Sequence, residues 1–148
     1  MTNDRFRFRV WDKNGNSYIS EKDDADFLYL GENGKLTVGL YNGDADDIAY
    51  LKEEDSIIEQ CTGLKDKNGK LIYEGDIVRI FYDHFNGTFT EKEVVGPVKW
   101  ECGTWAVNNS FLHHSPEYDE THLESAAVEV IGNIHENSEL LEENNGIH

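Results

Sequence analysis

Arg5-Phe6-Arg7-Phe8-Arg9-Val10 alternates basic and apolar residues without a break. Only an extended strand puts every second side chain on one face, so this segment is expected to be a strand. Phe6, Phe8 and Val10 would lie on the covered face and Arg5, Arg7 and Arg9 on the other. Trp11 then leads into Asp12-Lys13-Asn14-Gly15, where Asn-Gly can take the left-handed conformations of a tight turn. Tyr18-Ile19 is expected to begin the returning segment.

The same grammar of short apolar runs and turn residues continues along the chain. Phe27–Leu30 and Leu36–Tyr41 flank Gly31-Glu32-Asn33-Gly34 and read as a hairpin. Asn42–Asp47 reads as an acidic loop, Ser56–Cys61 as a short strand, and Lys52–Asp55 carries no clear signal. From Thr62 a second unit begins. Its Asp66-Lys67-Asn68-Gly69 repeats the tetrad at Asp12, a turn reused and not a duplicated domain. Leu71-Ile72-Tyr73, the turn Glu74-Gly75-Asp76 and the strand Ile77–Phe81 follow. A polar loop is expected over Asp83–Glu93, then strands at Val94–Trp100, Thr104–Val107 and Val128–Ile134. Pro97 implies an edge or a bulge because it has no N–H for the ladder, and Gly132 interrupts the last strand. Pro116–Glu124 is loop or short helix, and Ser138–Glu143 a helical turn capped by its serine, after which Asn144–His148 is expected to fray. Short strands from about Tyr73 to Ile134 suggest a small, highly curved barrel. At 148 residues the chain has room for one domain or two small lobes. With no low-complexity linker between them, residues 1–60 and 61–148 are expected to share a core.

Charge narrows the function. Thirty acidic residues against thirteen basic ones give a net charge of −17. Nucleic acid binding needs Lys and Arg to displace counterions from phosphates, so direct contact with nucleic acid is not expected. The imbalance is uneven, because no Lys or Arg follows Lys99. The N-terminus has no long apolar run, so neither a signal peptide nor a membrane span is expected, and the chain reads as cytoplasmic. In that compartment Cys61 and Cys102 are expected to be buried thiols, with a disulfide or redox pair as the alternative.

Several constellations invite a chemical reading. Asp12, Asn14 and Asn16 fall at positions one, three and five of a loop whose twelfth residue is Asp23, as in an EF-hand calcium site. Ser17 stands where that loop needs glycine, Asp23 is shorter than the usual glutamate, and a strand precedes it where a helix is required. A turn rich in Asp and Asn is the simpler reading. His113 and His114 are adjacent and would point to opposite faces of a strand, and His122 and His135 lie at no ligand spacing from them. Carboxylates are too many for any pair to signal hydrolysis. Neither a catalytic residue, a metal site nor a cofactor is expected.

Surface contacts are the better candidates. Arg5, Arg7 and Arg9 form one positive strip on an acidic protein. It could dock an acidic partner or a second copy, or be neutralised internally by carboxylates on a neighbouring strand. The clusters Asp23-Asp24-Asp26, Asp44-Asp46-Asp47 and Glu53-Glu54-Asp55 could mimic nucleic acid and occupy a basic host or phage protein. They could equally be a solvated face.

Three blocks carry a family resemblance. Phe8-Arg9-Val10-Trp11-Asp12, the run from Thr62 to Val78 (Thr-Gly-Leu-Lys-Asp-Lys-Asn-Gly-Lys-Leu-Ile-Tyr-Glu-Gly-Asp-Ile-Val), and Val130-Ile131-Gly132-Asn133-Ile134-His135-Glu136-Asn137-Ser138-Glu139-Leu140-Leu141 resemble the YopX family of phage and prophage proteins. Ser138 departs from a common proline there, and His135 from a common aromatic residue. The resemblance implies a mainly β (β-rich α+β) fold, with an N-terminal β-rich lobe over residues 1–60 packed on a small SH3-like barrel over 61–148 that ends in a C-terminal extension. It further implies a self-associating phage accessory protein of the host cytosol with no established activity. By analogy with SH3-like barrels, Tyr73, Tyr82, Trp100 and Trp105 could contribute to a peptide-binding surface.

Overall fold

Turn geometry and strand pairing in this chain were followed in a computed structural model. It describes residues 7–19, 26–30, 36–41, 48–85, 89–108, 110–111 and 128–145. The fold is mainly β, with a curled antiparallel half-barrel sheet. One short helix occurs among the described residues.

Two compact units form, one of Phe8–Gln60 and one from Cys61 onward that also holds Arg7. In the first, β1 (Phe8–Asp12) turns back into β2 (Ser17–Tyr18) and pairs on its other side with the start of β6 (Ser56–Lys65). The turn works as the Asp-Asn-Gly pattern suggests, with one difference. Asn14 N–H donates to Asp12 Oδ1 at 2.9 Å, but the left-handed residue is Asn16, at φ 51°, and not the Asn14-Gly15 pair. Strand β1 also differs from a simple one-sided strand. Val10 and Trp11 are both buried, and neighbouring residues of a strand face opposite ways, so both of its faces are covered at this point. Arg5 and Phe6 lie outside the described residues.

A separate meander of β3 (Asp26–Leu30), β4 (Leu36–Tyr41) and β5 (Ile48–Leu51) pairs in that order. The first two are the expected hairpin strands. β5 is an addition, paired with β4 from Val38↔Leu51 to Tyr41↔Ile48. A 3-10 turn, Glu53–Asp55, precedes β6.

In the second unit the end of β6 pairs with β7 (Leu71–Tyr73) across a register shift between Cys61 and Lys65. β6 therefore runs four residues past the expected end at Cys61. Gly63, at φ 81°, lies within that irregularity. The sheet β13-β8-β9 is built from β8 (Asp76–Phe85), β9 (Phe89–Pro97) and β13 (Val128–Asn133). The polar loop expected over Asp83–Glu93 is mostly strand, paired without interruption from Ile77↔Pro97 to Phe85↔Phe89. A hairpin ladder, once in register, carries polar residues along with the apolar ones. β9 ends on Pro97 and, among the described residues, pairs with β8 alone, the edge position that a proline allows. The bulge in β13 falls between Val130 and Gly132.

A third sheet joins β10 (Lys99–Glu101), β11 (Thr104–Val107) and β12 (Ser110–Phe111). The core of this unit is Ile72, Val78, Ile80, Val98, Trp105, Val107 and Val128, with Leu64, Val94 and Val130 packed against it. Each fully buried aliphatic side chain stabilises the fold by about 1.5–3 kcal/mol. Helix α1 (Glu139–Asn145) closes the described chain and lies against β9. It is two turns long, slightly more than the single turn expected.

Candidate functional site

Carboxylates buried by the strands come first, because charges out of water must be held by partners. Glu59 of β6 is 1% exposed. Its Oε2 accepts from Arg9 Nε at 2.6 Å and from Tyr18 Oη at 3.0 Å. The Arg9 guanidinium also sits 4.5 Å over the Tyr18 ring, and Tyr18 meets Trp11 edge to face at 4.9 Å. Arg9 is thus neutralised by a carboxylate on the neighbouring strand of its own chain. Arg7 is exposed, and its backbone carbonyl accepts from Cys61 N–H at 2.8 Å. Arg5 lies outside the described residues.

Asp66 and Asp76 hold the most specific block of the sequence together. Asp66 Oδ1 accepts from Asn68 and Lys70 N–H, both at 2.9 Å, while Oδ2 accepts from Val130 N–H at 3.0 Å. Burial alone would push this carboxyl up. The backbone N–H groups of Val130, Lys70 and Asn68, helped by the Lys70 charge, outweigh it and hold the group below its ordinary value. Asp76 Oδ2 accepts from Tyr73 N–H at 2.8 Å, closing the turn over Gly75. The backbone of that turn also bonds Val98 and Ile134, so one tight turn ties β13 and the β9–β10 junction to β8. Thr62 Oγ1 donates to the Ile72 carbonyl at 2.8 Å and accepts from Leu64 N–H at 3.0 Å. In this block side-chain oxygens of Thr62, Asp66 and Asp76 bond to backbone groups.

The sequence does not single out Glu59, Asp66 or Asp76. Asp66 shares its tetrad with Asp12, yet only Asp66 reaches a distant strand. Glu59 had one usable signal, an acidic residue between Ile57 and Cys61 on the same face of a strand.

The metal readings find the following geometry. Asp12 Oδ1 serves its own turn, β1 precedes the loop where a helix would be needed, and Ser20–Asp23 lie outside the described residues. His135 N–H donates to Asn133 Oδ1 at 3.0 Å, whereas His113, His114 and His122 lie outside the described residues. Among the described residues no group of three or more His, Cys, Asp or Glu is placed to hold a metal ion. Neither Cys61 nor Cys102 is in a disulfide. Cys61 is buried as expected, but Cys102 is exposed, because it sits at the tip of the β10–β11 turn. Of the acidic clusters, Glu53 and Glu54 are exposed. Asp23–Asp24 and Asp44–Asp47 lie outside the described residues.

The four candidate aromatics divide sharply. Tyr73 is half-buried on β7, and Tyr82 stands opposite Lys92 on the β8–β9 ladder. Trp105 is a core residue, while its cross-strand partner Trp100 is 57% exposed. Their rings meet edge to face, with centroids 4.9 Å apart at 73°. Phe81, on the outer face of β8, is 49% exposed. It stands opposite Glu93, which forms an ion pair with Arg79 at 2.6 Å. No described helix is long and apolar enough to cross a membrane.

Comparison with known proteins follows the same blocks. The model of the YopX protein family matches residues 7–142. The solved structure of protein yopX from Bacillus subtilis is 25% identical, with a TM-score of 0.60, covering 92% of this chain and 98% of its own. Protein EF1440 from Enterococcus faecalis is 24% identical, with a TM-score of 0.56, covering 91% of this chain and 96% of its own. No curated protein matches the chain.

Proposed function

Because the chain belongs to the YopX family, we propose that it is a phage or prophage accessory protein that acts through protein–protein contacts, including contacts with its own copies, and not through a reaction. Trp100 carries this reading. A tryptophan that is 57% exposed yet braced by a core tryptophan is costly to leave in water and already ordered, and such residues anchor interfaces. The exposed Phe81 adds to the apolar surface on offer. A host or phage protein is the other partner that this surface could meet.

Sedimentation equilibrium of the full chain at low and high salt tests self-association. A mass above the monomer that falls on dilution is expected. A monomer at every concentration and salt would remove that part of the proposal. A second reading, an acidic inhibitor that mimics nucleic acid, draws support from the absence of Lys and Arg after Lys99. It requires that nucleic acid compete with the chain for the same basic partner.

A further inference from the structure

We propose that the exposed surface of Trp100 receives a cationic side chain, Arg or Lys, from a basic segment of a partner protein. This rests on the reading of the chain as an interaction protein and adds the chemistry of what it meets. Indole presents the most favourable aromatic face for a cation, and the attraction grows as the pair loses water. In β10 the ring needs no further ordering, because the edge-to-face contact with buried Trp105 already fixes it. Binding to a fixed ring costs less conformational entropy than binding to a free one.

The surroundings select the sign of the partner. β10 is an outer strand of its sheet, and Lys99, Trp100 and Glu101 are all exposed. Lys99 and Glu101 project from the opposite face to Trp100 and offset one another. The remaining field is that of a chain with net charge −17 and no basic residue after Lys99. Such a field draws cations toward the surface and repels anionic or acidic partners. A purely apolar side chain would gain the contact with the ring but nothing from the field. Arg and Lys gain both.

The test uses the full chain and an unstructured peptide of alternating Arg and Gly, with a second peptide carrying Gln in place of Arg. Isothermal titration at about 0.15 M salt keeps unspecific attraction low. The Arg peptide is expected to bind and the Gln peptide not to. Trp100→Leu should weaken the Arg peptide by about two- to fivefold, with Trp100→Phe falling in between. Equal binding by Trp100→Leu and the unchanged chain would overturn the proposal, leaving only charge attraction. A second measurement needs no variant. Trp11 and Trp105 are buried, so acrylamide quenching reports mainly on Trp100, and the Arg peptide should protect it. Saturating peptide without protection also overturns the proposal. Neither result bears on self-association, which sedimentation decides separately.

Discussion

Arg9 and Glu59 stand directly opposite one another on β1 and β6, with Arg9 Nε 2.6 Å from Glu59 Oε2. The Arg9 side chain is 19% exposed and that of Glu59 2%, so the carboxylate is the buried partner and the guanidinium its link to solvent. Tyr18 adds a hydrogen bond to the same oxygen and a ring under the guanidinium. The arrangement fixes which residue of β1 faces which residue of β6. A slip by one residue would turn Glu59 to the other face of the strand and break its ion pair with Arg9.

Removing one member should therefore cost more than removing both. Arg9→Met takes its 2.6 Å ion-pair partner from the buried Glu59 and is expected to destabilise the protein by about 3 kcal/mol. Arg9→Met/Glu59→Met, which removes the charge with its partner, should cost less. Urea denaturation of both variants decides the point. Equal losses would show that the Glu59 charge carries no extra penalty once Arg9 is gone.

Asp66 predicts a pH dependence. Its carboxyl titrates below its ordinary value of 3.8 in the folded protein. A group with a depressed folded pKa contributes stability that is fully present above the unfolded value and lost as pH falls through the folded one. The loss of this contribution therefore begins near 3.8 and continues below it. Asp66→Asn keeps the shape of the side chain and removes the charge and one acceptor, costing about 2 kcal/mol at neutral pH. Its stability should fall less steeply than that of the unchanged chain between about pH 4 and pH 2. Parallel pH profiles would show that Asp66 is not the group responsible.

How much of this was readable in advance follows the range of the interactions. Period-two alternation located β1, and the Asn-Gly and Asp-Lys-Asn-Gly signals located the turns at Asp12 and Asp66, because each is encoded within a few residues. The three blocks of family resemblance cover the same ground, and the match over residues 7–142 bears out the family. The strand character of Asp83–Phe85 and Phe89–Glu93 was not readable. Polar residues there are carried by pairing with each other, and no local pattern announces that. Glu59 was not readable either, because its partners Arg9 and Tyr18 lie on other strands. Trp100 and Trp105 look alike in the sequence. Only the packing of β11 onto the core makes one an interior residue and the other a surface one.

The β10–β11 turn gives a stability test confined to the backbone. Cys102 and Gly103 both have positive φ, at 51° and 77°, the pair of left-handed residues that a type I′ turn requires. A Cβ at Gly103 would meet nothing within 4 Å, so Gly103→Ala should cost only the backbone strain, about 1 kcal/mol. Cys102→Asn places the favoured residue at the first position and should stabilise by a few tenths of a kcal/mol, read as a higher thermal midpoint.

Gly132 should behave differently, for a reason that can be separated by a second substitution. A Cβ there would lie 2.6 Å from Asn137 Oδ1 and 2.8 Å from Asn137 Cβ. Asn137 Oδ1 accepts from Asn133 N–H at 3.1 Å, and Asn137 N–H donates to the Asn133 carbonyl at 3.0 Å, so this asparagine joins the end of β13 to the start of α1. Gly132→Ala must displace it and is expected to cost about 2 kcal/mol, twice the value for Gly103→Ala. Asn137→Gly removes both clashing atoms at the price of that one side-chain hydrogen bond. The double variant Gly132→Ala/Asn137→Gly should then be less destabilised than the sum of the two single changes, by roughly 1 kcal/mol. Thermal denaturation of all three variants measures the coupling. Strict additivity would mean that the crowding at Gly132 is relieved elsewhere, and that Asn137 does not set the path from the last strand into the helix.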